Sequence, residues 1–196
     1  MRPNNSKLII ITGPSGSGKT YLANYLIANY PTLFMQAKVH TTRKPRIDEL
    51  KTTDRIFVTS SQFTQIKRND EFLLDGKFDN QLYGWHRDSL RPTRNTYIIT
   101  NIWPELLPDS LTLGRPLILA LTVSQGSMQL LIDRMTTRGA SPKNIQRRLK
   151  YIHQDIADID KYRDIINQRG KIFIINDDTT IKTQVLPWLL KQISKD

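Results

Sequence analysis

Cysteine is missing from all 196 residues, which excludes disulfides and thiolate-held metal sites. Long apolar runs are missing too. The longest, 116–123, falls far short of the roughly 20 residues that a membrane-spanning helix needs. The polar opening MRPNNSK is followed by too brief an apolar stretch for a secretory leader, so a cytoplasmic setting is expected. There is no internal repeat and no low-complexity tract. The histidines, His40, His86 and His153, lack metal-ligand spacing, and no Ser-His-Asp or paired-carboxylate constellation is evident. They are assigned to surface or structural roles.

Acidic residues are also in short supply, 18 against 29 lysines and arginines, for a net charge of +11. Such a balance suits either a nucleic-acid surface or a site that surrounds a small, highly phosphorylated ligand with arginines. Where the basic residues fall decides between them. With 38% hydrophobic and 24% charged residues, the chain has the composition of a globular protein with one ordinary core.

What is present begins with GPSGSGKT, residues 13–20, directly after the apolar run KLIIIT. It matches G-x-x-x-x-G-K-[ST] in full. The glycines Gly13, Gly16 and Gly18 let the backbone wrap so that N–H groups, including those of Ser15 and Ser17, point inward at phosphate oxygens. Lys19 reaches the outer phosphates, and the Thr20 hydroxyl is placed to ligate Mg²⁺. The helix starting near Gly18 adds its positive end. The bland alternative, a glycine-rich turn without a ligand, is disfavoured by the strand before it and the helix after it.

The remaining pattern is an α/β fold, a P-loop kinase core with a parallel sheet flanked by helices. KLIIIT, NTYIIT, PLILALTV and KIFIIN read as buried strands. TYLANYLIANY reads as a helix ended by Pro31, and SMQLLIDRM as another. A long helix is expected from the Ser141 cap and Pro142 to a stop at Gly170. TQVLPWLLKQI is expected to be a last helix that tolerates a kink at Pro187. Between about 40 and 91 the texture turns threonine-rich and β-prone (56–59, 72–78), as in an inserted β-rich subdomain. The core would then comprise 1–39 and 92–196. Trp103-Pro104 reads as packing at a strand end.

In HTTRKPRIDE, Arg43, Arg46 and Glu49 lie three apart around Pro45. Two guanidinium groups on one bent segment can fork onto a phosphate, although a solvated basic turn fits the spacing as well. Together with GPSGSGKT, the stretches TTRKPRIDE, FLLDGKFDNQLYG, RMTTRGASPKNIQRRL and IIND give the chain a resemblance to the guanylate kinase family. It runs in family order over nearly the whole chain. The family fold is a P-loop core with a β-rich acceptor-binding subdomain and a helical lid, here about 136–148. Family members pass the terminal phosphate of Mg·ATP to GMP or dGMP.

The resemblance implies that Lys19 and Thr20 serve the ATP phosphates and Mg²⁺, and that Asn176 lies near the adenine. Arg43, Arg46 and Tyr83 would hold the acceptor's phosphate. Arg134, Arg138 and Arg148 would come from the lid onto the transferring group, where an arginine can be worth roughly 10³–10⁵ in rate. Arg147 and Lys150 read as a solvated helix face. The chain departs from the family where guanine is read: Leu74 takes the glutamate position with Asp75 beside it, Trp85 replaces a serine or threonine, and Thr100–Asn101–Ile102 stands where the family has a strand-end aspartate. Arg55 replaces a phosphate-binding tyrosine. Asp75 would substitute for the glutamate only with a one-residue shift in register.

The readings left open are a nucleoside monophosphate kinase, a P-loop kinase for another phosphorylated acceptor such as a sugar phosphate, and a catalytically silent binding module. Nucleic-acid binding ranks below these, because the basic residues cluster where a small ligand's phosphates would sit.

Overall fold

The computed structural model describes residues 7–45, 54–92 and 96–194. Strand β1 (Leu8–Thr12) is buried along its whole length and lies at the centre of a five-stranded parallel sheet. After it come α1 (Lys19–Asn29), β2 (Phe34–Gln36), β3 (Val39–Thr41), β4 (Arg55–Phe57) and α2 (Ser60–Arg68). Next are β5 (Phe72–Phe78), β6 (Gln81–His86), β7 (Tyr97–Asn101), α3 (Leu107–Ser110), β8 (Leu117–Thr122) and α4 (Met128–Thr137). The chain closes with α5 (Pro142–Lys161), α6 (Arg163–Arg169), β9 (Gly170–Ile174), a π-helical turn (Ile181–Val185) and α7 (Leu186–Ile193).

The main sheet has the order β2-β7-β1-β8-β9, every pairing parallel. Alternation along β1 feeds two cores. Ile9 and Ile11 join Leu22, Leu26, Phe34 and Leu189 in one; Leu8 and Ile10 join Ile98, Ile118, Ile159 and Ile166 in the other. A second sheet, β4-β3-β6-β5, is anchored to this second core through Leu74 and Trp85. Burying a leucine-sized side chain is worth about 1.5–3 kcal/mol, so this seam couples the two sheets firmly. Helix α2 covers the other face of the second sheet and starts with a capping box between Thr59 and Gln62.

Three local expectations are corrected. The long helix does not run to Gly170: α5 ends at Lys161, Tyr162 breaks the path, and α6 follows. Gly170 instead opens β9, where an added Cβ would lie 1.8 Å from the Ile118 carbonyl oxygen; it permits close strand approach. Pro187 makes no mid-helix kink, because it lies in the first turn of α7, preceded by the π-helical turn. The three-residue strands β2 and β3 are too short to show a period and form by pairing with β7, β4 and β6. Among the described residues, no helix is long and apolar enough to cross a membrane.

Candidate active site

The loop 13–18 leaves β1 and closes on the first turn of α1. Gly13 has φ 138°, and a Cβ there would lie 2.0 Å from the Leu121 carbonyl oxygen, so only glycine fits against β8. Gly18, at the helix N-cap with φ 97°, is in the left-handed region that favours glycine. Lys19 folds back over the loop, and its Nζ donates to the carbonyls of Gly13 (2.6 Å) and Pro14 (2.7 Å). Burial lowers its pKa to about 8; Asp155 opposes that shift, and Arg138 and Arg148 add to it. Two further cations assigned to phosphate from the sequence, Arg138 and Arg148, thus weigh on the Lys19 ammonium. Ser17 is buried with its hydroxyl unpartnered in the protein, as is Thr12 at the end of β1. Thr20 is exposed and Ser15 half-buried.

Arg134 is held closely. Its Nη1 donates to the Gly16 carbonyl (3.1 Å), Nη2 to the Asp177 carbonyl (3.0 Å), and Nε and Nη2 both reach Asp178 Oδ1 (3.0 and 2.7 Å). The guanidinium therefore fastens the phosphate loop to the segment after β9, next to the exposed Asn176. Arg138 follows α4 in the open, and Arg148 is half-buried on α5.

On the second sheet, Thr41 and Tyr83 are paired across β3 and β6. Arg43 lies two residues beyond Thr41, whose hydroxyl accepts from the Arg43 backbone N–H (3.2 Å), while the Arg43 guanidinium lies over the Phe57 ring (5.7 Å). Arg55 pairs with Asp54 (3.4 Å). Arg46 and Glu49 lie outside the described residues. Leu74 faces the core. Asp75, on the opposite face, binds Lys67 of α2 at 2.6 Å. Trp85 is buried, and its indole N–H donates to Thr100 Oγ1 (2.7 Å).

Between the second sheet, the turn after β7 and helix α5 lies a cavity of about 190 Å³. Phe78, Trp103 and Tyr151 supply rings; Asp79, Glu105, Asp155 and Asp158 supply carboxylates. Trp103 packs against Phe78, Tyr83 and Trp85 with ring centroids 5.5–5.7 Å apart. Asp79 accepts from the Tyr151 hydroxyl (3.1 Å) and pairs with Arg147 (3.4 Å), so Arg147 has a partner and is not simply solvated. Burial raises the Asp155 pKa to about 7; Lys19 pulls it down, while Asp158 and Glu105 push it further up.

Asp155 and its neighbours escape sequence reasoning because they are brought together only by folding. One signal was available: Asp155 and Asp158 interrupt the inward stripe of Ile152 and Ile159 on α5, and Asp155 lies two turns from Arg148. Outside this site, His40 is enclosed between Phe72 and His86, and His86 pairs with Glu71 (3.0 Å). Among the described residues no group of three or more His, Asp or Glu is arranged to hold a metal.

A family model described as guanylate kinase matches residues 5–102. A guanylate kinase of Nostoc sp. is 30% identical over 186 residues, covering 94% of this chain and 89% of that protein. One from Chlamydia muridarum is 27% identical over 187 residues, covering 92% and 84%. Among solved structures, guanylate kinase from Anaplasma phagocytophilum superposes with a TM-score of 0.65 at 16% identity, covering 96% of this chain and 87% of that one; this likeness carries the fold.

Proposed function

The chain belongs to the guanylate kinase family, and from that premise we propose that it transfers the terminal phosphoryl group of ATP to a nucleoside monophosphate, GMP or dGMP foremost. The observation that carries this reading is the glycine loop 13–18 between β1 and α1, with Gly13 and Gly18 at positive φ and the Lys19 ammonium folded over it. Backbone N–H groups, a helix N-terminus and a lysine together make an anion site suited to a polyphosphate. The acceptor's phosphate oxygen attacks the terminal phosphorus, a new P–O bond forms, the β–γ bridge breaks, and ADP leaves. The acceptor phosphate is already ionised, so no general base is required. Catalysis is positioning plus stabilisation of spread negative charge.

In this scheme the loop N–H groups of 13–18 and Lys19 hold the ATP phosphates, and Asn176 borders the adenine. Arg43, Arg46, Arg55 and Tyr83 hold the acceptor's phosphate, with the second sheet (about 40–91) as the acceptor-binding subdomain. Arg138 and Arg148 belong to the lid (about 136–148) and move with it onto the transferring group. The Thr20 hydroxyl suits Mg²⁺, a hard cation that takes oxygen ligands. Bound with ATP, Mg²⁺ neutralises charge on the phosphates. We place the reaction in the cytoplasm.

One observation favours a second reading, a different phosphorylated acceptor. The carboxylate of Asp75 is committed to Lys67, and Leu74 is in the core, so β5 offers the cavity no carboxylate at the guanine-reading position. A coupled ADP-release assay with Mg·ATP against GMP, dGMP, AMP, CMP, UMP, dTMP and sugar phosphates tests both. Turnover selective for GMP or dGMP supports the first. Turnover on another acceptor supports the second, and silence with ATP still bound overturns both in favour of a binding module.

A further inference from the structure

The cavity of about 190 Å³ runs against the character of the chain. The protein has a net charge of +11, yet four of the cavity's lining residues are carboxylates, Asp79, Glu105, Asp155 and Asp158, against two lysines. Both lysines, Lys77 and Lys150, are exposed. A phosphate is a poor guest here. The rings of Phe78, Trp103 and Tyr151 suit a flat aromatic group instead. The volume lies below the roughly 300–1,000 Å³ of sites that enclose a drug-sized ligand, so the cavity takes one ring system and leaves the rest of the ligand outside it.

Geometry joins this cavity to the acceptor side. Strand β5 and the turn after it supply Lys77, Phe78 and Asp79, and Trp103 packs on Tyr83 with ring centroids 5.5 Å apart. At Gly76 an added Cβ would lie 2.8 Å from the Trp103 ring, so β5 admits the indole because no side chain stands there. From the other side comes α5. Its Tyr151, Gln154, Asp155 and Asp158 have the three- and four-residue spacing of a single helix face, and all four line the cavity. Asp158 is 5% exposed. Its Oδ1 accepts from Gln154 Nε2 (3.1 Å), while Oδ2 is buried with no hydrogen-bond partner among the described residues. Buried polar atoms are nearly always paired, and an ionised carboxylate only accepts. The missing partner is a donor.

Resting on the nucleotide kinase reading above, we propose that Asp158 is a specificity-determining residue for the acceptor. The acceptor's base enters the cavity beside Trp103 and gives an exocyclic amino N–H to Asp158 Oδ2. Strand β5 withholds a carboxylate, with Leu74 in the core and Asp75 paired with Lys67, and α5 supplies one in its place. The substrate class is a nucleoside monophosphate with an amino-bearing base, guanine foremost. A sugar phosphate brings no aromatic ring to the walls, and hypoxanthine brings the ring without the amino group.

GMP and IMP differ by that amino group alone. Their dissociation constants are measured by equilibrium dialysis without ATP, for wild type and Asp158→Asn, with ribose 5-phosphate as a ligand lacking the base and circular dichroism to establish folding. The wild type is expected to bind GMP roughly 10–100-fold more tightly than IMP, the size of a hydrogen bond to a charged group. Asp158→Asn should bind GMP as weakly as IMP, with affinities for IMP and ribose 5-phosphate as in the wild type. A GMP-to-IMP ratio left unchanged by Asp158→Asn, or an equal loss for both, overturns the proposal. Should Asp158→Asn not fold, the wild type decides: IMP bound as tightly as GMP overturns the proposal, and a preference for GMP of roughly tenfold or more supports it. Transfer from ATP, measured separately, keeps the two readings apart. An Asp158-dependent preference without turnover supports the base site and sinks the kinase reading alone; turnover without that preference sinks this proposal alone.

Discussion

The indole N–H of Trp85 donates to Thr100 Oγ1 across 2.7 Å, in a buried contact between the second sheet and the end of β7. Both residues occupy positions at which the sequence departs from its family. Their mutual bond satisfies two polar groups that would otherwise be stranded, and it fixes the floor of the aromatic cluster around Trp103. Thr100→Val removes the acceptor and leaves the indole N–H buried and unpaired. The expected loss of stability is about 1–3 kcal/mol, read from denaturant midpoints with the slope unchanged.

Arg134 joins Gly16, Asp177 and Asp178, so its truncation should loosen the phosphate loop first. Arg134→Ala is expected to raise the KM for ATP about tenfold, equivalent to about 1.4 kcal/mol, with the acceptor KM unchanged. Lysine lacks the planar fork and should not restore it. A fall in kcat with ATP KM intact would instead assign Arg134 to the transferring phosphoryl group, the role its place in the sequence motif implies.

Lys19 and Asp155 give separate pH signatures, one in ATP affinity and one in stability. The Lys19 pKa is depressed to about 8, so in the nucleotide-free protein ATP affinity should fall as pH rises through about 8 and the ammonium is lost. Asp155 is raised to about 7 from its ordinary 3.8. Between those values the folded state binds more protons than the unfolded state, so this group makes stability decline as pH rises from 3.8 to 7. Asp155→Asn should flatten that slope in thermal melts taken across the range, leaving the region above it parallel to wild type.

Asp79, at the β5–β6 turn, holds both Tyr151 and Arg147 of α5, and Phe78 packs on the Tyr151 ring (4.8 Å). The turn itself has Asp79 and Asn80 at φ 50° and 61°, the geometry of a tight hairpin. Asp79→Ala should cost about 0.2–1 kcal/mol. Amide exchange should quicken in the β5–β6 hairpin and stay unchanged in β1.

Much of this was legible before folding. The phosphate loop has a local cause, a run of glycines between an apolar strand and a helix, and so do the buried strands and the Ser141 cap. The cavity does not. Asp79, Trp103, Glu105, Tyr151 and Asp155 come from a hairpin turn, a loop and a helix spread over some eighty residues of chain, and no period or motif links them. Gly170 shows the same limit: its neighbour is a carbonyl of β8 more than fifty residues earlier, invisible to a reading that sees only a helix stop. Asp75 was legible as a possible replacement carboxylate, but its partner Lys67 lies on the helix that covers the outer face of the sheet.

The most direct measurement is transfer of label from γ-labelled ATP with Mg²⁺ to GMP, run side by side on wild type and a folded Lys19→Ala variant. Labelled GDP from the wild type and none from the variant is the predicted result. No labelled diphosphate from any nucleoside monophosphate, or equal labelling by both proteins, would contradict phosphoryl transfer at this loop.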